Sequence, residues 1–208
     1  MSGEIAQPAP PPPPRRRYTK RRRAEREDET RRRITEATME LHETVGPART
    51  TVSGIAALAG VQRATVYRHF PDEGALIAAC SGEWTARNPL PDLGAWAAID
   101  DPDARLRAGL DELYAWFDRT EPMVDRIGRD VAVVEALRDP VARFGEWFGA
   151  AAGVLAAGRP EAGGRTAAAL AHAIAFDTWR SLVRRQGLSR DGAVELMARL
   201  AACAAGPG

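Results

Sequence analysis

The chain has 208 residues, 45% of them hydrophobic, and a formal net charge of +1, enough for one or two small globular units. Its apolar runs are short and broken by charge, which excludes a membrane-spanning helix, and the segment after Met1 lacks the apolar stretch of a secretory leader. Cys80 and Cys203 give no disulfide framework and read as free thiols of a reducing cytoplasm, while the charge is lopsided: residues 15–70 carry 14 Arg and Lys against 7 Asp and Glu, residues 71–208 carry 15 against 20, and Glu4 stands alone.

Residues 1–14 are a proline-rich tail that cannot build a core. Arg15 to Arg23 is a basic run that, with the tail, makes an N-terminal arm over residues 1–23, expected to be disordered and to track phosphates or enter a minor groove. Every fixed cation but Lys20 is arginine, a compositional bias that points to a GC-rich bacterial genome. A first helix is expected to start between Ala24 and Thr30, with Glu25, Glu27, Asp28 and Glu29 favouring its positive end. Ile34, Ala37, Leu41 and Val45 then form one apolar stripe that stops at Gly46-Pro47.

The segment TTVSGIAALAGVQRATVYRHFPDEGAL, from Thr50 to Leu76, carries the most information. Thr51 is the N-cap of a short helix over Val52 to Ala59 whose Ile55, Ala56 and Leu58 point inward. Gly60 ends it and Val61 plugs the turn. A second short helix runs from Arg63 to His69, closed by Phe70-Pro71, and Asp72 caps a longer one that reaches Glu83 to Arg87. Two short helices joined so tightly place the second in the major groove of DNA. At its start Gln62, Arg63 and Thr65 have the chemistry to read base edges: Arg forks onto guanine, Gln pairs with adenine, and the Thr methyl meets a thymine methyl. Tyr67 and His69 suit phosphates, and Val66 and Phe70 anchor the helix.

Residues 24–87 thus form one unit and residues 88–208 another, after the break NPLPDLG. The second reads as wholly helical, with segments near 102–119, 122–136, 140–157, 163–186 and 190–204. Their stops are Glu121-Pro122, Asp139-Pro140, Gly158-Arg159-Pro160 and Gly187-Leu188, and Ser189 caps the last.

The stretch GIAALAGVQRATVYRHFPDEGALIAAC is similar to the N-terminal domain of TetR-family transcriptional regulators, with their I-A-x-x-A-G-V core and T-x-Y-x-H/Y-F run. The resemblance is strong over about residues 30–80 and weak beyond. It implies an all-α fold: a three-helix helix-turn-helix domain followed by a helical ligand-binding and dimerisation domain. It also implies that Thr51 and Tyr67 hold phosphates, that Arg63, Ala64 and Thr65 face bases, and that His69 lies near the backbone. One position departs: the family usually has a phosphate-binding Lys where this chain has Glu73, a carboxylate that would repel DNA or satisfy the helix dipole.

A single helix-turn-helix head makes few contacts, so a homodimer on a palindromic operator is expected. Two stripes are candidates for its interface: Leu170, Ile174, Thr178 and Leu182, and Leu196, Leu200 and Cys203. Either also serves as a monomer's own core. The resemblance implies a two-fold four-helix bundle built from these helices. It further implies an effector pocket, to which the aromatic body residues Trp84, Trp96, Tyr114, Trp116, Phe117, Phe144, Trp147, Phe148, Phe176 and Trp179 contribute either walls or plain core. Trp84, Tyr114, Phe117, Phe144, Trp147, His172 and Phe176 are the candidate lining residues for a small hydrophobic effector, with Asp177 as a further polar group.

Enzyme chemistry is not expected. His42, His69 and His172 lie in separate segments, no nucleophile elbow, phosphate loop or dinucleotide fingerprint is present, and the cysteines lack zinc-type spacing. No cofactor, metal or membrane partner is called for. The reading is a ligand-responsive repressor of transcription, with double-stranded DNA as partner; the alternative is a helical ligand-binding or protein-interaction module with weakened DNA binding, for which Glu73 is the support.

Overall fold

The computed structural model describes residues 15–159 and 164–204, with side chains from Arg21 onward. The proline-rich tail (1–14), the expected stop at Pro160 and the expected helix start at Gly163 lie outside the described residues. Every described element is helical: α1 (Arg15–Thr44), α2 (Val52–Ala59), α3 (Arg63–His69), α4 (Glu73–Arg87), α5 (Leu93–Ala97), α6 (Pro102–Asp130), α7 (Arg138–Ala156), α8 (Arg165–Ala173), α9 (Phe176–Trp179) running into a π-helical turn (Arg180–Arg185), and α10 (Arg190–Ala204). None is long and apolar enough to cross a membrane.

The local signals act as the sequence implies. Thr51 Oγ1 accepts from Gly54 N at 3.1 Å, Asp72 Oδ1 from Ala75 N at 2.7 Å and Ser189 Oγ from Gly192 N at 3.1 Å, each satisfying an orphan donor at a helix start. Gly60 ends α2 at φ 63°, a left-handed turn that glycine takes without a Cβ penalty.

Elsewhere the structure departs from the expected boundaries. α1 begins at Arg15, well before the expected start between residues 24 and 30, so Arg15–Arg23 are helical rather than a disordered arm. Arginine is a good helix former, and Arg21–Glu25 and Arg23–Glu27 pair one turn apart at 2.9 and 3.1 Å. α6 runs straight through Pro122, where a stop was expected. The missing N–H costs one helix bond, but buried residues on both sides, from Leu106 to Phe117 and again at Met123, hold the helix in register. The expected helix over 163–186 breaks at Ile174–Ala175. There Tyr114 Oη donates to the Ala173 carbonyl at 2.8 Å, which satisfies an acceptor freed by the break.

Two cores result. In the head, Ile34, Ala37, Ile55, Ala56, Ala59, Val66, Phe70 and Leu76 pack together. Leu58, expected inward, is 46% exposed, because Ala59 takes the buried position one turn after Ile55. In the body, Leu106, Leu110, Leu113, Phe117, Leu155 and Trp179 centre a larger core that also takes Met39 from α1 and Cys80 and Trp84 from α4. α1 and α4 therefore belong to both cores.

The end of α1 is pinned to the end of α6. Arg126 Nε donates to the Thr44 carbonyl at 2.8 Å, Arg129 Nη2 to the Val45 carbonyl at 3.1 Å, and Ala48 N to Asp130 Oδ2 at 3.0 Å. Asp130 is 3% exposed, and its carboxyl is held below the usual range first by the Arg129 guanidinium and then by the Ala48 N–H. Gly46 sits in this junction at φ 93° and ψ 158°, a region open essentially to glycine. A Cβ there would run into Arg129 and Asp130. Gly46→Ala is expected to cost about 2 kcal/mol in urea denaturation, and an unchanged midpoint would show the junction to be yielding.

Candidate DNA-reading surface and body cavity

α3 is a seven-residue helix that presents opposite faces to the core and to solvent. Val66 and Phe70 are buried at 1% and 2% exposure and fix its position. Gln62, Arg63 and Ala64 are exposed at its start, Thr65 is half-buried, and Tyr67 is 50% exposed. Thr51 is exposed across the turn at the start of α2, where it also serves as the cap. The structure therefore brings Thr51, Gln62, Arg63, Ala64 and Tyr67 to solvent on the head.

His69 stands apart. It is half-buried, its Nε2 has no hydrogen-bond partner among the described residues, and its carbonyl accepts from Arg31 Nη1 at 2.9 Å. Burial, then the nearby Arg68 and Arg31 charges, hold its imidazole below the ordinary range. Glu73 is exposed in the first turn of α4, where a carboxylate complements the helix dipole.

Three arginines of α1 have partners within the head. Arg31 lies 4.2 Å from the centre of the Phe70 ring while bonding the end of α3. Arg33 Nη2 reaches the Ala59 and Gly60 carbonyls, capping α2. Arg32 pairs with Glu29 and Glu36, both at 2.7 Å. The sequence hid these roles because each partner outside α1 lies 26 or more residues away.

The body holds a cavity of about 280 Å³ between α1, α4, α6, α7 and the start of α9. Of the seven expected lining residues, Trp84, Phe117, Phe144 and Phe176 line it. Tyr114, Trp147 and His172 do not. Tyr114 is fully buried with its hydroxyl committed to Ala173, and burial pushes that hydroxyl up. Trp147 packs edge-on against Trp96 at 5.8 Å and Phe148 at 5.1 Å. His172 is exposed, its Nδ1 3.2 Å from Thr178 Oγ1, and Asp177 is exposed as well.

Sequence reasoning missed His42, Cys80, Ser81 and Met123 in the wall. His42 was traceable, since it falls two turns after the fully buried Ile34 and one after Thr38. Its Nδ1 lies 3.6 Å from Cys80 Sγ. Burial pulls the imidazole down to about 4, against Asp130, and pushes the thiol up to about 12, so both groups are neutral at physiological pH. Among the described residues no group of three His, Cys, Asp or Glu is placed to hold a metal ion.

The expected interface residues divide. Leu196 and Leu200 are 38% and 51% exposed on α10. Leu170 and Ile174 are 0% and 3% exposed, so the chain's own core takes them and they are withdrawn from the interface; Leu182 is half-buried against that core.

Comparison with known proteins bears on both halves. Residues 34–80 match the family model of bacterial regulatory proteins, tetR family. No curated protein matches the chain. Among solved structures, a TetR-like transcriptional regulator from Rhodococcus sp. RHA1 is 17% identical, with 83% of this chain and 93% of that one covered at a TM-score of 0.61. NalD, the secondary repressor of the MexAB-OprM multidrug efflux pump in Pseudomonas aeruginosa, is 20% identical over 85% of this chain and 96% of its own, at 0.55. The multidrug binding protein EbrR, complexed with imidazole, is 26% identical over 82% and 93%, at 0.52. The head is thus similar in sequence to the tetR family of bacterial regulatory proteins over residues 34–80, and the chain shares the all-helical fold of these solved structures along most of its length.

Proposed function

We propose that the chain is a homodimeric repressor that sets two copies of α3 into the major groove of a palindromic operator and is released when a small hydrophobic effector fills the body cavity. The observation that carries the reading is the two-faced α3: a buried Val66–Phe70 side and an exposed Gln62, Arg63, Ala64 and Tyr67 side at the tip of the head. NalD, a repressor of an efflux pump, and the multidrug binding protein EbrR share the fold, which favours repression and a small-molecule signal.

In this reading Arg63 forks onto a guanine, Gln62, Ala64 and Thr65 meet neighbouring base edges, and Thr51 and Tyr67 fix the register on phosphates. His69 supports the end of α3 rather than binding phosphate as a cation. The effector acts by favouring a spacing of the two heads that misses the operator, because the cavity walls on α1 and α4 are also walls of the head.

Arg63→Ala is expected to cost roughly 1–3 kcal/mol on the preferred duplex and to relax base choice at one position per half-site. Tyr67→Phe should weaken all duplexes alike. Fluorescence anisotropy against DNA from upstream of the chain's own coding region tests both, and two variants that bind like the parent would refute the groove assignment.

The basic N-terminal segment enters as a rod. A helix from Arg15 extends roughly 28 Å beyond Ile34, which favours contact along a phosphate backbone over threading of a minor groove. Removing residues 1–23 is expected to flatten the slope of log affinity against log salt. An unchanged slope would make the rod idle.

A further inference from the structure

We infer that the body cavity selects compact, uncharged ring compounds and rejects both carboxylates and ammonium ions; the inference rests on the cavity being the effector site. No Asp, Glu, Lys or Arg is among its lining residues. Its two titratable wall groups, His42 and Cys80, face each other, each held in its neutral form by burial. A charged ligand would meet no counter-ion among the lining residues, so its desolvation would go uncompensated there.

Two features could have relaxed that exclusion, and neither does. The first is the aromatic wall, since rings attract cations. Trp84, Trp116 and Phe144 pack on one another at 5.9 to 6.2 Å, and a cation–π contact with such rings returns less than the desolvation of an ammonium takes away. The second is the start of α7, which borders the cavity and could attract an anion. Its first turn already holds Asp139; of Leu137, Pro140 and Val141, which reach the wall there, Leu137 N already donates to the Val134 carbonyl and Pro140 has no N–H.

The same wall sets shape and orientation. The indole N–H groups point to partners outside the lining, Trp84 Nε1 to Glu43 at 3.2 Å and Trp116 Nε1 to the Asn88 carbonyl at 3.1 Å. A ligand therefore meets indole carbon, not donors. Hydroxyl, thiol and imidazole side chains of the lining come only from α1 and α4, where Ser81 and Thr85 lie in the same wall as Cys80 and His42. About 280 Å³ is just under the roughly 300–1,000 Å³ typical of drug-sized sites, so one or two fused rings with a single hydroxyl or carbonyl fit. That polar group would point at α4 and His42, which also borders the smaller cavity inside the head, beside Tyr67 and Phe70.

Titration calorimetry of the full chain with three probes on one ring system tests this: 1-naphthalenemethanol, 1-naphthoate and 1-naphthylmethylammonium, at about pH 7.5, where the last two are charged. The alcohol is expected to bind at least about tenfold more tightly than either ion. Ions that bind as well as the alcohol would overturn the selectivity alone. Binding by none of the three would overturn the cavity reading together with the inference. Thr85→Asp, at the exposed rim, is expected to raise affinity for the ammonium probe relative to the alcohol about tenfold; no gain in that ratio would contradict an exclusion set by missing counter-charge.

Discussion

Replacing Leu196 and Leu200 together by glutamate is expected to leave a folded monomer whose affinity for the operator is lower by roughly 10²–10⁴-fold. α10 buries Ala193, Val194, Met197, Ala198 and Ala201 against α6 and α8, and the substitutions leave that face intact. Leu196 and Leu200 lie one turn apart on the outer side, apolar and partly exposed. Substitutions at such positions change monomer stability by about 0.5 kcal/mol or less. At a dimer seam, four carboxylates facing one another would prevent pairing, and the second head would no longer bind as an intramolecular event. Sedimentation velocity with anisotropy on the same samples checks both parts. A variant that stays dimeric and binds DNA like the parent would move the seam off α10.

Between about pH 6.5 and pH 4 the protein is expected to lose on the order of 3 kcal/mol of stability through His42. In the folded chain the imidazole is 4% exposed beside Cys80, and burial depresses its pKa to about 4. Unfolded, it titrates at the ordinary value. Across the window between those values the unfolded chain binds the extra proton, so stability is complete above the window and falls as pH drops through it. His69 is depressed as well and adds to the trend, so the informative quantity is the difference from a His42→Gln variant. Urea midpoints for the variant should fall less steeply with acid than those of the parent. Parallel pH profiles would mean that His42 is already protonated, or solvated, in the folded state. Carboxylates such as Asp130, held below their usual range, withdraw their contribution only at lower pH.

Both effects turn on residues whose surroundings the sequence discloses unevenly. Caps and turns were legible because their causes are local: Thr51, Gly60, Asp72 and Ser189 each act within three or four residues. The two-faced α3 was legible for the same reason, since seven residues and one period decide it. Distant partners decide the rest. Pro122 signals a stop, yet the body core carries α6 past it. Leu170 and Leu200 belong to equally plausible apolar stripes, and only the packed chain shows that the first faces inward and the second outward. Arg31 and Arg33 belong to a basic stretch whose sequence does not disclose that α2 and α3 end against them. The cavity draws on five separate helices, so no single stretch of sequence outlines it.

Selection of bound sequences from a random duplex pool, run side by side with the parent chain and Arg63→Ala, tests the central claim most directly. The account predicts a two-fold symmetric motif whose half-sites are spaced by about one helical turn or a multiple of it, with one base per half-site losing definition in the variant. A pool left unenriched by the parent, or an asymmetric motif that Arg63→Ala leaves untouched, would contradict it.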